Sequence, residues 1–315
     1  MTAALTIIVV VLGIMLSIVL HEFGHFVPAR LFGVPCPEFF VGFGPKIVSK
    51  TWRGTEWGIK WIWLGGYTKI AGMFLGPQEG QKTPKGFIGE MIDETRKESQ
   101  STIPPGQEAH AFYWLSAPKK IICMAGGIFM NLLLGTIFFI IAFGLIGAPS
   151  GTETIHLGFL NILQIVGEQI GATFQAVLSL PVQLVNSVVS VFNGAPRNPD
   201  SLISVVGLGQ IAIQTVGSSS SFAMAAYTML YLLGSLNVGL FVLNLIPLLP
   251  LDGGHVVNAL YEAGKRLVFR IQGKPAPGPA DLARVQPLGS FVFLLLILMG
   301  FILVAVDIVN PINLS

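Results

Sequence analysis

Charge is scarce in this chain. Asp, Glu, Lys and Arg make up 11% of the 315 residues, where a soluble domain carries about 25%. That shortage excludes an ordinary soluble enzyme. Basic and acidic residues nearly balance, 18 against 16, so no positive field argues for nucleic acid as a partner. Cysteine is almost absent. Cys36 and Cys123 stand in different segments with no CxxC, which excludes a disulfide scaffold and a cysteine-built zinc site. No internal repeat is visible, and no organic cofactor is expected.

What is abundant is apolar: 52% of residues are hydrophobic and the mean hydropathy is +0.73. A membrane span needs about 20 mostly apolar residues. Four stretches qualify, from about Leu5 to Val27, Ile121 to Ile146, Phe222 to Leu249 and Leu288 to Val309. The first is too long for a cleaved signal peptide and lacks its charged leader. The cations sort by loop. Residues 32–118 hold Lys46, Lys50, Arg53, Lys60, Lys69, Lys82, Lys85, Arg96 and Lys97; residues 250–287 hold Lys265, Arg266, Arg270, Lys274 and Arg284; residues 148–221 hold only Arg197. The positive-inside rule then puts 32–118 and 250–287 in the cytoplasm, and 148–221 with both termini outside.

The expected fold is an α-helical membrane protein of four transmembrane helices with a small cytoplasmic, membrane-associated β-sheet. Within 38–71, Phe39, Val41 and Phe43 alternate, and so do Trp57, Ile59, Trp61 and Trp63, around the turn-like Arg53-Gly54-Thr55. Tryptophans suit the membrane interface. Such a hairpin is either a packed surface feature or an edge strand that pairs with a peptide. Residues 76–108 are polar and read as a flexible loop without chemistry. The apolar but interrupted 155–193 suggests one or two helices on or dipping into the outer membrane surface. Segment boundaries fall at 1–31, 32–118, 119–147, 148–221, 222–287 and 288–315.

Ionisable groups inside a span are expensive and mark function by default. His21-Glu22-Phe23-Gly24-His25 lies near the end of span one. Positions i and i+4 share a helix face, so both imidazoles reach one metal ion, while Glu22 stands beside it to take a proton from water. Counted from Leu5, His21 is roughly 24 Å into the membrane. Two buried histidines satisfied by neighbours is the blander reading, and the energetic cost of placing three such groups in an apolar span weighs against it. Pro28 lets the helix bend or end just past the site. An open zinc site needs a third protein ligand. Pro28 and Leu31 stand where a longer soluble zinc-protease motif needs Gly and His, and Glu56 is on a strand-like run. The best candidate is Asp252, after span three and at matching depth, with His255 as rival. Pro247 and Pro250 break the helix there, and Gly253-Gly254 permits a tight turn.

The chain resembles the site-2 protease family of intramembrane zinc metalloproteases. The resemblance rests on His21-Glu22-Phe23-Gly24-His25-Phe26 with Ala29-Arg30, and on Asn244, Pro247, Asp252 and Gly253, which follow NxxPxxxxDG. Phe43-Gly44-Pro45, Gly65-Gly66-Tyr67, Ala125-Gly126 and Asn131 add to it. It implies Zn2+ held by His21, His25 and Asp252, with Glu22 as general base. It also implies Asn244 and Pro247 at the substrate, Asn244 on its backbone or oxyanion, and an edge strand at Gly65, Gly66 and Tyr67 holding it extended. Asn237 more simply packs between helices.

Two departures stand out. Gly127 replaces the usual proline, which is expected to relax a turn without touching chemistry. The branch most similar carries a PDZ domain between spans two and three, and residues 148–221 show neither its strands nor its Gly-rich loop, so that domain is expected to be absent. The expected activity is cleavage of single-span membrane proteins in the bilayer of a bacterial cytoplasmic membrane, and the resemblance implies anti-sigma factors or remnant signal peptides as substrates. A metal transporter using the same ligands is the alternative, and a helix-gripping chaperone a third possibility.

Overall fold

Hydropathy dictates the long helices. The computed structural model describes residues 3–78, 84–150, 153–194, 197, 203–217 and 221–312; Lys82 of the sorted cations lies outside them. Among the described residues, four helical segments are long and apolar enough to cross a membrane, Ala4–Leu31, Ala117–Ile146, Phe222–Asn244 and Leu282–Val309, and the bent pair Phe159–Leu178 with Leu180–Asn193 passes as a fifth if taken as one span. The protein is a multi-pass membrane protein. The helices are α1 (Ala3–Leu31), α3 (Ala117–Phe139, continued by a π-helical turn Ile140–Ile146), α7 (Phe222–Asn244) and α9 (Gln286–Val309). Two other helical segments matter below, α2 (Phe87–Ser101) and α8 (Asp252–Ile271).

Pro28 does not end α1 at once; the helix runs to Leu31, three residues further. Its stop is a Schellman motif: Gly33, at φ +83°, donates to Arg30 O (3.1 Å) and Val34 donates to Ala29 O (2.9 Å). The third span ends at Asn244 rather than Leu249. Pro247 has no N–H for the helical ladder, and 245–251 turns instead into the start of α8.

By contacts the chain divides into two compact units. One comprises Ile18–Met130 and Asn244–Phe293, and the other Met1–Ser17, Asn131–Leu243 and Leu294–Ser315.

The first unit holds the sheet. Strands β1 (Glu38–Trp52) and β2 (Thr55–Lys69) join through Arg53-Gly54, both at positive φ, the backbone of a tight hairpin turn. Both strands double back. Gly42 and Gly44, at φ +89° and +81°, turn β1 so that 38–41 pair with 56–59 and also with 66–69, while 46–52 pair with 55–60. The first half of β1 is thus central, and 66–69 of β2 is an outer run. Trp57 packs on Phe26 and Phe39 (4.8 and 4.7 Å between rings), whereas Trp61 and Trp63 are exposed. The core behind the sheet is Ala29, Val34, Cys36, Ile70, Phe112, Cys123 and Met124.

Residues 87–101 form the helix α2 rather than a loop, a correction with a simple cause. The polar residues of 90–101 include many strong helix formers, and Gly89, Ile92, Arg96 and Ser99 form a buried face. Arg96 pairs with Asp281 (2.5 Å) and Asp93 (3.0 Å). A second buried pair, Lys120 with Glu262 (2.7 Å), ties the start of α3 to α8.

The second unit packs Val10 with Leu208, Ala212, Val216, Ala225 and Met229, and Phe139 and Phe143 with Ile162, Val166 and Val238. Between Ile146 and Phe222 stand a short hairpin, β3 (Ala148–Ser150) and β4 (Glu153–Ile155), and α4 (Phe159–Leu178), α5 (Leu180–Asn193) and α6 (Val205–Gly217). A 72° bend separates α4 from α5. Asn237 donates to Ser17 Oγ and Leu233 O, both at 2.8 Å.

Asp307 near the end of α9 is buried and pairs with Arg197. It also accepts from the Ser204 N–H (2.6 Å) and hydroxyl (2.5 Å) and the Gly207 N–H (3.1 Å). Sequence reading missed Asp307 as a membrane-depth acid; its position two residues from the end of span four was the available signal.

Candidate active site

Helix α1 places its two histidines one turn apart, and α3 fixes the second of them. The helices touch backbone to backbone. A Cβ on Gly24 would lie 2.3 Å from Gly126 O, and one on Gly126 only 2.0 Å from Gly24 O. Only glycine on both sides allows that approach. It brings the Cys123 carbonyl to 2.9 Å from His25 Nδ1. A carbonyl only accepts, so Nδ1 carries the proton and Nε2 presents a lone pair.

Gly127 sits under the same ring. A Cβ there would fall 2.2 Å from His25 Nε2. Residue 127 bounds the imidazole directly, because one helical turn separates the carbonyl that orients the ring from the position beneath it.

Asp252 arrives on the first turn of α8. The preceding loop is wound so tightly that a Cβ on Gly253 would meet Ile246 O at 2.3 Å and one on Gly254 would meet Leu249 N at 2.6 Å. This winding turns the carboxylate toward the histidines. His21 Nε2 lies 3.1 Å from His25 Nε2, and Asp252 Oδ2 lies 3.3 Å from each. That Oδ2 is buried with no hydrogen-bond partner.

Three donors at these spacings fit one ion. Donors bound to zinc tetrahedrally at about 2.0–2.1 Å stand about 3.3–3.4 Å apart. Two Nε2 lone pairs and an otherwise unsatisfied carboxylate oxygen make a nitrogen and oxygen donor set of the kind zinc takes. His255, the rival, is three residues along α8. Its ring faces Phe74 (6.1 Å), and burial holds it down at about 4, so it is neutral at pH 7. Among the described residues, the one group of His, Cys, Asp and Glu placed to hold a metal is His21, His25 and Asp252.

Glu22 points to the sheet. Its Oε2 accepts the Thr68 N–H at 2.8 Å, and the Thr68 hydroxyl donates to Glu22 O at 3.3 Å. Thr68 is on the outer run of β2, so the sheet edge and the acid are joined directly. Sequence reading missed Thr68, although it follows Gly65-Gly66-Tyr67. A Cβ on Gly65 would fall 2.4 Å from the Phe43 ring, and one on Gly66 3.0 Å from Phe40 O. Tyr67 stacks on Phe40 and Phe43, donates to Glu38 (2.5 Å) and accepts from Lys60 (2.8 Å). Its side chain is committed to the sheet, and its backbone pairs with Phe40 of β1. Asn244 ends α7 half-buried, and Pro247 is exposed in the connection that delivers Asp252.

The chain has relatives among known proteins. It is 26% identical to the zinc metalloprotease Rip1 of Mycobacterium tuberculosis over 413 aligned positions, 98% of either chain. It is 23% identical to the zinc metalloprotease Rip1 of Mycolicibacterium smegmatis over 428 positions, again 98% of each. Both alignments are longer than this chain, so both relatives carry insertions relative to it. The profile of peptidase family M50 matches residues 9–274, a stretch that includes the paired histidines, the sheet and the Asp252 turn. By that match over most of its length, the chain belongs to peptidase family M50, the site-2 proteases.

Proposed function

We propose that His21, His25 and Asp252 hold the zinc ion of this metalloprotease, and that Glu22 is the general base with which it cuts single-span membrane proteins inside the bilayer. The convergence of His21 Nε2, His25 Nε2 and Asp252 Oδ2 to within 3.1–3.3 Å carries the reading. Zinc bound there supplies Lewis-acid polarisation of the scissile carbonyl and lowers the pKa of the attacking water. The protein's part is positional. Cys123 O orients His25, and the Thr68 N–H holds one oxygen of Glu22. The carboxylate takes the water's proton and hands it to the departing amine.

A helical substrate shields its peptide bonds, so it must unwind. The outer run of β2 offers backbone groups to pair with it, and Gly65 and Gly66 put no side chain in its way. Asn244 is suited to hold the substrate backbone or the oxyanion, with Pro247 shaping the same connection. Membrane-bound regulators such as anti-sigma factors, or remnant signal peptides, are the substrate classes. The charge asymmetry of the loops supports a bacterial inner-membrane location with both termini extracytoplasmic and the site toward the cytoplasmic leaflet. The helical character of α4 to α6 supports the absence of a PDZ domain.

Cleavage of a model single-span substrate, measured alongside zinc content, tests this. His21→Ala and Asp252→Ala are expected to lose most zinc and all cleavage, while His255→Ala keeps both. Zinc retained by Asp252→Ala and lost by His255→Ala would transfer the third ligand to His255. Metal flux across vesicles without cleavage would favour a transporter.

Gly127→Ala supplies a separate check. Its methyl is expected to displace the His25 ring and weaken zinc binding about 10- to 100-fold, read by competitive zinc titration. Gly300→Ala, whose Cβ meets nothing within 4 Å, should leave affinity unchanged.

A further inference from the structure

Helix α8 is 20 residues long, and the site uses only its first turn. Past its first turn, its buried face is Ala259 and Glu262. Away from that face, Val257, Leu260, Tyr261, Leu267, Val268 and Ile271 are all exposed, Ile271 at 77%. At 100° per residue these six fall within about 120° of one another. Lys265 and Arg270 flank the stripe, and Arg266 and Lys274 add two more cations. After Asp252 the helix has a single acid, Glu262, and that is buried against Lys120. The accessible charge of α8 is therefore wholly positive.

A bare apolar stripe of this size has to be covered. What covers it is indicated by position and by charge. The chain leaves one span at Asn244 and enters the next at Leu282, so both ends of α8 are tethered to the same membrane face. A crevice of about 770 Å³ extends from Val257, Tyr261 and Lys265 to Leu282, Leu288 and Gly289, which carries the apolar surface on to the fourth span. Apolar width, flanking cations and short tethers describe a helix lying in an anionic lipid surface.

We propose that α8 lies on the membrane at the face where α7 ends and α9 begins, its apolar stripe among the upper acyl chains and its cations on the phosphates of acidic phospholipids. This surface stands apart from the zinc chemistry and requires only that the chain spans the membrane.

The test uses the full chain in lipid nanodiscs, with Val268→Cys carrying an environment-sensitive fluorophore; Cys36 and Cys123 are buried and do not compete for label. Quenching by a lipid-borne nitroxide and by aqueous iodide is compared in phosphatidylcholine and in mixtures with phosphatidylglycerol. Phosphatidylglycerol is expected to raise nitroxide quenching about twofold and to shield the label from iodide, with high salt reversing both. A variant with Lys265, Arg266, Arg270 and Lys274 all changed to Gln should lose the dependence on phosphatidylglycerol. Iodide quenching that is strong and equal in both lipids, with none from the nitroxide, would overturn the proposal. Label self-quenching that rises with protein copies per disc would also overturn it, since a second chain would then cover the stripe.

Discussion

Glu22→Gln is expected to lower peptide-bond cleavage by about 10²- to 10⁴-fold while leaving zinc bound. The substitution is nearly isosteric. The amide oxygen of Gln still accepts the Thr68 N–H, which Glu22 accepts at 2.8 Å, so the link between α1 and the sheet edge survives. What disappears is the capacity to take a proton, and general acid–base groups contribute rate gains of that size. His21, His25 and Asp252 are untouched, so zinc content should match wild type. Substrate should bind without being cut, recoverable as a complex. Cleavage by Glu22→Gln at the wild-type rate would remove Glu22 from the mechanism. Loss of zinc in that variant would show that it supports the ligands rather than the proton transfer.

Asp307→Ala is expected to cost about 3–5 kcal/mol of stability, the penalty for breaking a buried pair by removing one partner. Asp307 is 1% exposed and joins Arg197, Ser204 and the first turns of α6. The alanine variant takes the carboxylate from the buried Arg197 guanidinium, the Ser204 N–H and hydroxyl and the Gly207 N–H, and removing one partner of a buried hydrogen-bonded charge is costly. Thermal unfolding in detergent gives the readout. Replacing both partners, Arg197→Met with Asp307→Leu, should recover much of the loss, because the apolar pair carries no desolvation penalty. Unfolding of Asp307→Ala at the wild-type temperature would show that the pair is stabilising in appearance only.

The sites behind these two predictions differ in how they could be found. The motif around Glu22 is local: His21 and His25 share a helix face wherever their helix packs, and an apolar span makes such groups conspicuous. Asp252 was reachable because proline and glycine around it announce a broken helix at the right end of a span. Asp307 was overlooked because its partner Arg197 is 110 residues away and neither residue sits in a recognisable spacing. The same applies to α2, where polarity alone suggested a loop, and the buried Arg96 only makes sense once Asp281, 185 residues on, is placed beside it. Gly127 is another case, a residue assigned to a turn because nothing along the chain reveals what lies above it.

By itself, the sequence determined the four spans, the paired histidines and the acid beside them. Hydropathy over about 20 residues and the 3.6-residue helical repeat are properties of short stretches and need no partner. Only the tertiary structure decided which carbonyl orients His25, that Thr68 holds Glu22, and that the two glycines let α1 and α3 close to backbone contact. Those are pairings across 98 and 46 residues in the first two cases. They exist because close packing brings remote backbone groups within hydrogen-bond reach, a matter of distance in space on which the periodicity of the chain is silent.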